Sequence, residues 1–269
     1  MMKKYKISYL LLFFLGSIIF TIYQRKFIAI IFTILIHELG HLIILKIYKI
    51  KIEEITLLPI GAYLKINVFK DEEIKRYLFI YSFGIFFNFI IAIIAFIANN
   101  NFLFKLNIGM ILFNIIPILP MDGFYILNYF LCVFLPYRIA YRLSLIINLL
   151  ILPILLVFII KYQLGIIFVC YFGYFLLILI KNIGKRNYLY EDFLLKKHLN
   201  YNLKLKNRKN KYYKLPLLNN LFLGYHNYFY DNDFFIDENN LLNKRYGNVK
   251  NKWNIKNNYW KISVFMVNL

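Results

Sequence analysis

His37, Glu38 and His41 lie in TILIHELGHLII, residues 33–44, a stretch that is otherwise apolar. Four residues apart, two side chains share one face of an α-helix, about 5–6 Å apart at Cβ. Two imidazoles so placed can hold one Zn²⁺. Glu38 flanks that face, where a carboxylate can take a proton from water. The chemistry on offer is metal-assisted hydrolysis. Gly40 keeps the turn slim, so that another backbone or a substrate can approach. Interhelical hydrogen bonding would account for one polar side chain here more easily than three.

A catalytic zinc takes three protein ligands and keeps a fourth position open. Within the apolar stretches, the only other carboxylate is Asp122, in NIIPILPMDG, residues 114–123. Pro117 and Pro120 cannot sit inside an undisturbed helix. They break the span, and broken backbone at membrane depth is tolerated where it lines a protein cavity. An aspartate opening the resumed half-helix suits the helix dipole. Taken alone, the segment also fits a proline kink with Asp122 as a cap. Beside His37 and His41, the reading as third ligand is stronger, because ionisable groups buried in a membrane are costly and mark function.

The elements that must position these residues are membrane helices. The chain has 269 residues, 61% of them hydrophobic, with a formal charge of +20. High hydrophobicity joined to high charge points to a membrane protein with basic flanks. A bilayer needs about 20 apolar residues of helix. The stretches that qualify are 7–23, 27–48, 77–98, a broken 107–135, 143–160 and 165–180, the last two forming a tight hairpin. MMKKYK and the run after it lack a small-residue cleavage site, so the first span reads as retained. Lys and Arg concentrate at the N-terminus, in the 49–76 loop, in a 136–142 link and at the start of the tail, which places both termini in the cytoplasm. Basic tails also bind nucleic acid. Topology and contact with anionic lipid are the simpler account, and no nucleic-acid partner is expected. Cys132 and Cys170 read as small hydrophobes.

The expected fold is therefore an α-helical polytopic membrane protein of about six transmembrane helices with a broken fourth span. Residues 1–184 form the membrane domain. Residues 185–269 form a basic cytoplasmic tail, with the composition of a small α+β module. In the 49–76 loop, Pro59 and Gly61 argue against a helix, and two short strands around LPIGAYL fit better.

HELGH followed by NIIPILPMDG resembles the site-2 protease family of intramembrane zinc metalloproteases. SFGIFFN, with Gly84 and Asn88, resembles that family's Gly-x-x-x-Asn element. LPIGAYL and the six-span layout are most similar to the stage IV sporulation protein FB branch. The resemblance covers about residues 7–180. It implies one zinc held by His37, His41 and Asp122, with Glu38 as catalytic base. Asn88, Gly84, Gly61, Asn114, Pro117, Pro120 and Gly123 become candidates for binding or orienting substrate. The implied substrate is a membrane-associated regulatory protein. In the sporulation branch it is the pro-form of sigma-K, cut in the mother-cell membrane around the forespore of a bacterium, under inhibitory membrane partners. An anti-sigma factor or a signal-peptide remnant is the alternative. The branch also implies a CBS domain that senses ATP. The tail has room for a shortened relative of one, but carries no nucleotide motif.

Two other classes compete. A metal transporter or sensor would want several polar sites along a path, whereas here they converge on one cluster. An inactive scaffold would not need Glu38 together with a full ligand set.

Overall fold

The computed structural model describes residues 4–7, 24–50, 52–58, 61–66, 74–163, 166–199, 205–211, 217–231 and 234–247. The chain begins with strand β1, Lys4–Ile7. Helix α1, Gln24–Ile47, carries the HELGH stretch. It ends at Lys49, whose φ is +55°, with Ile50 N–H reaching back to Leu45 O at 2.9 Å. Such a left-handed residue closes a helix by satisfying its last carbonyls. Strands β2, Ile52–Leu58, and β3, Gly61–Ile66, follow as an antiparallel pair. This is the expected hairpin around LPIGAYL.

Helix α2, Ile74–Ile97, turns into α3, Asn101–Ile115, through two asparagines. Asn99 takes φ +54°. Asn100 caps α3, its side-chain oxygen accepting from Leu103 N–H at 3.1 Å. Asparagine is suited to both tasks, which is why IANN marks a sharp turn. α3 stops before Pro117, and α4, Asp122–Phe134, begins after Pro120. The expected broken span is thus two short helices. α5 runs over Tyr137–Lys161 and α6 over Ile166–Leu199, and the two pack together as the expected hairpin.

Four of these helices are long and apolar enough to cross a membrane: Ile28–Ile47, Ile74–Ile97, Tyr137–Lys161 and Phe168–Leu199. The span expected over 7–23 lies, beyond Ile7, outside the described residues. Ile28, Phe96, Ile97, Leu150, Ile154 and Leu177 are exposed, as a lipid-facing surface requires.

Two expected boundaries differ. Residues 136–142 are not a link, since α5 starts at Tyr137, and α6 does not end at 180. Arg138, Arg142, Lys181, Lys185 and Arg186 mark where apolar surroundings end, and a helix can continue past that level with charges on its surface. One consequence is that residue 184 lies inside α6.

The tail contains β4, Lys206–Lys211, a 3₁₀ turn at Leu217–Asn220, β5, Tyr225–Asp231, β6, Phe234–Asp237, and α7, Glu238–Tyr246. β5 is central, parallel to β4 and antiparallel to β6. This is a small α+β unit, and it shares a core with the membrane helices. Leu194, Leu221, Phe229 and Leu242 pack in one cluster with Tyr77 of α2, Cys132 of α4 and Ala140 of α5.

Candidate metal centre

α1, α2 and α4 bring the site together. Because His37 and His41 are one turn apart, both rings leave α1 on the side that meets α2. Both are buried, at 4% and 7% exposure. Gly40 permits this close meeting. A Cβ there would fall 2.8 Å from the carbonyl carbon of Phe83 and 3.0 Å from Cα of Gly84. Small residues at such a crossing let two membrane helices touch backbone to backbone.

The third member of the cluster arrives through the break. With α3 stopped, the chain makes tight turns through Ile118 N–H to Ile116 O and Met121 N–H to Ile118 O, both 2.8 Å. α4 then opens on Asp122, in its first turn, where the helix dipole favours a carboxylate. Gly123 is required at this joint, because a Cβ would fall 2.5 Å from the Ile115 carbonyl carbon and 2.6 Å from Ile116 O.

Asp122 Oδ2 lies 3.1 Å from His37 Nε2 and 3.2 Å from His41 Nε2. The two Nε2 atoms are 3.2 Å apart. A tetrahedral zinc with bonds of about 2.0–2.1 Å sets its donors about 3.3 Å apart, so the triangle has the right edge. Asp122 Oδ2 is buried and, despite these distances, makes no directed hydrogen bond. Two imidazole nitrogens and an orphaned carboxylate oxygen aimed at one point are a donor set for a cation. Gly84 completes the cradle. A Cβ there would sit 2.7 Å from Cε1 and 2.8 Å from Nε2 of His37, and closer still to Nε2 of His41.

The surroundings fix the rings. His41 Nδ1 donates to Ile80 O at 2.7 Å, which leaves Nε2 as its lone-pair nitrogen. Asn88 of α2 is fully buried, and its amide faces His37 Nδ1 at 3.3 Å. Glu38 is half-buried, and its charge reaches His41.

The remaining candidates are placed as follows. Asn114 is buried and donates to Met110 O at 3.0 Å, within its own helix. Pro117 and Pro120 form the break. Gly61 opposes Leu58 at the turn of the β2–β3 hairpin, and β3 touches α1. Sequence reasoning overlooked several neutral amides. Asn107 of α3 donates to Leu103 O at 2.9 Å and toward Thr33 Oγ1 of α1 at 3.5 Å. Asn128 of α4 faces Ser144 of α5 at 3.5 Å, and Asn148 of α5 is fully buried. Asparagine inside an apolar helix was the available signal.

Comparison with known proteins gives the following. Residues 26–101 match the model of peptidase family M50. A zinc metalloprotease of Methanocaldococcus jannaschii is 36% identical over 109 residues, which cover 36% of this chain and 31% of that protein. The chain therefore spans about a third of that relative's length. The solved site-2 protease from Methanocaldococcus jannaschii superposes with a TM-score of 0.50 at 28% identity, over 64% of this chain and 86% of that one. Residues 26–101 thus carry a segment similar to peptidase family M50, and the fold around the His37–His41–Asp122 triangle is similar to that of a solved site-2 protease.

Proposed function

We propose that the protein is an intramembrane zinc metalloprotease that cuts a membrane-associated protein. The observation that carries this reading is the 3.1–3.2 Å triangle of His37, His41 and Asp122 among apolar helices. These three residues would hold the metal. When bound, zinc supplies Lewis-acid activation of water and of the scissile carbonyl. Glu38, beside His37, takes the proton of the attacking water and returns it to the leaving amine. His41 is held by Ile80 O. Asn88 does the same for His37 once its amide is turned so that Oδ1 accepts from Nδ1–H. The two amide ends are interchangeable by such a flip, and Asn88 Oδ1 otherwise has no partner. Gly84 leaves the space in front of both rings open.

A helical substrate hides its peptide bonds and must be extended before attack. β2 is flanked by β1 and β3, so it has no free edge. Among the described residues the outer edge of β3 is unpaired, and β3 touches α1. It is the edge we assign to substrate by strand addition.

The finer reading is a six-span protein with cytoplasmic termini that processes a pro-sigma factor of the sigma-K type in the mother-cell membrane. Its support is the resemblance carried by LPIGAYL and by the basic side of the chain. The test is co-expression with a tagged pro-sigma-K-type substrate and, separately, with a tagged signal-peptide remnant. The wild type should release a shortened pro-sigma product and Glu38→Gln should not. Cleavage of the remnant alone would move the substrate assignment. Cleavage by Glu38→Gln at the wild-type rate would remove the mechanism.

A further inference from the structure

We infer that Arg138, Arg142 and Arg186 form a binding site for a phosphate-bearing anion where α5 and α6 meet beside the tail. The three arginines line one small open pocket with Tyr141, Asn187 and Tyr190. Arg138 and Arg186 are close enough to Arg142 for their charges to repel it. Among the described residues, no carboxylate pairs with any of the three. The acids on the same helix are committed elsewhere: Glu191 holds Arg245 at 2.7 Å, and Asp192 holds Lys196 at 2.6 Å.

Two features make this more than a basic membrane flank. Arg138 and Arg142 stand in the first two turns of α5, whose N-terminal end is itself positive, so the cations sit where the dipole disfavours them. Arg138 is also fixed in place. Its guanidinium stacks 5.0 Å from the Tyr190 ring centroid and donates to Asn219 Oδ1 of the tail. Its Nε remains buried without an acceptor. Tyr190 is held in turn by donating to Leu218 O, and Tyr141 by donating to Asn182 Oδ1 at 3.2 Å. A guanidinium fixed at the pocket wall and flanked by two exposed guanidinium groups is complementary to phosphate oxygens, which accept several charge-assisted bonds at once. A lipid headgroup and free phosphate share that chemistry.

The test uses the full chain. Native mass spectrometry would count phosphatidylglycerol adducts on protein exchanged into phosphatidylglycerol–phosphatidylcholine nanodiscs. Inorganic phosphate would be titrated against chloride at constant ionic strength, reading Tm. The variants are Arg142→Gln/Arg186→Gln and, as a charge-matched control, Lys181→Gln/Lys185→Gln, with zinc content as the check on folding. Lipid retention should fall about tenfold in the arginine pair and hold in the lysine pair. A saturable Tm rise with phosphate, lost in the arginine pair and without lipid preference, keeps the site and names free phosphate as its ligand. Equal losses in both pairs, or none in either, would overturn the site.

Discussion

Gly84 of α2 stands against the His41 ring of α1 with no side chain between them, on the side where Nε2 meets Asp122. Gly84→Ala would push a methyl group into the donor triangle. Zinc per chain should fall from about one to near zero, and stability should drop by about 1–3 kcal/mol from overpacking. Gly109 of α3 has open space around it, so Gly109→Ala should keep its zinc and gain up to about 1 kcal/mol in helix propensity. Metal analysis and thermal melts of the two variants, side by side, check both statements.

Asn88 faces His37 Nδ1 at 3.3 Å, and we propose it as the orienting partner of that ring. Removing the partner of a metal-bound imidazole lowers metal affinity about 10–100-fold. Asn88→Leu should show that loss in a competition titration against a zinc chelator. Asn88→Asp, which still accepts from Nδ1–H, should recover most of it.

Zinc should also stabilise the folded chain, because the triangle exists only when α1 and α4 are in place. Added zinc should raise the Tm of the metal-stripped wild type and leave Asp122→Ala unmoved. Glu38→Gln should respond like the wild type, because Glu38 is outside the triangle. An equal rise in Asp122→Ala would separate the two motifs.

Inside the tail, Lys197 of α6 and Glu238 of α7 form a pair at 3.1 Å, with side chains 1% and 2% exposed. Glu238 also accepts from Asn227, through N–H at 3.0 Å and Nδ2 at 2.8 Å. Removing one member of such a pair strands a charge, which costs about 3–5 kcal/mol. Glu238→Leu should therefore make the tail sensitive to limited proteolysis, and Lys197→Met/Glu238→Leu should regain part of the protection.

The His37, His41 and Asp122 cluster is legible in the sequence because an ionisable group inside an apolar helix is costly unless it binds something. Pro117 and Pro120 announce the break for the same kind of reason: a missing N–H and a fixed φ leave little choice. Three things escape such a reading. Arg138 and Lys181 look like the edges of loops, although a helix can leave the bilayer without ending. Asn88 reads as a substrate contact or as a polar tie between helices, and its contact with His37, 51 residues away, is one that no local pattern encodes. The parallel pairing of Lys4–Ile7 with Glu54–Leu57 is equally non-local.

α4 links the two halves of the molecule mechanically. Its first residue is Asp122, the carboxylate of the proposed metal triangle. Near its last, Val133 O accepts from Arg208 of the tail at 3.1 Å, and Cys132 is embedded in the core shared with the tail. A 13-residue helix is a stiff rod of about 20 Å. Tail and carboxylate are therefore fastened to the two ends of one rod.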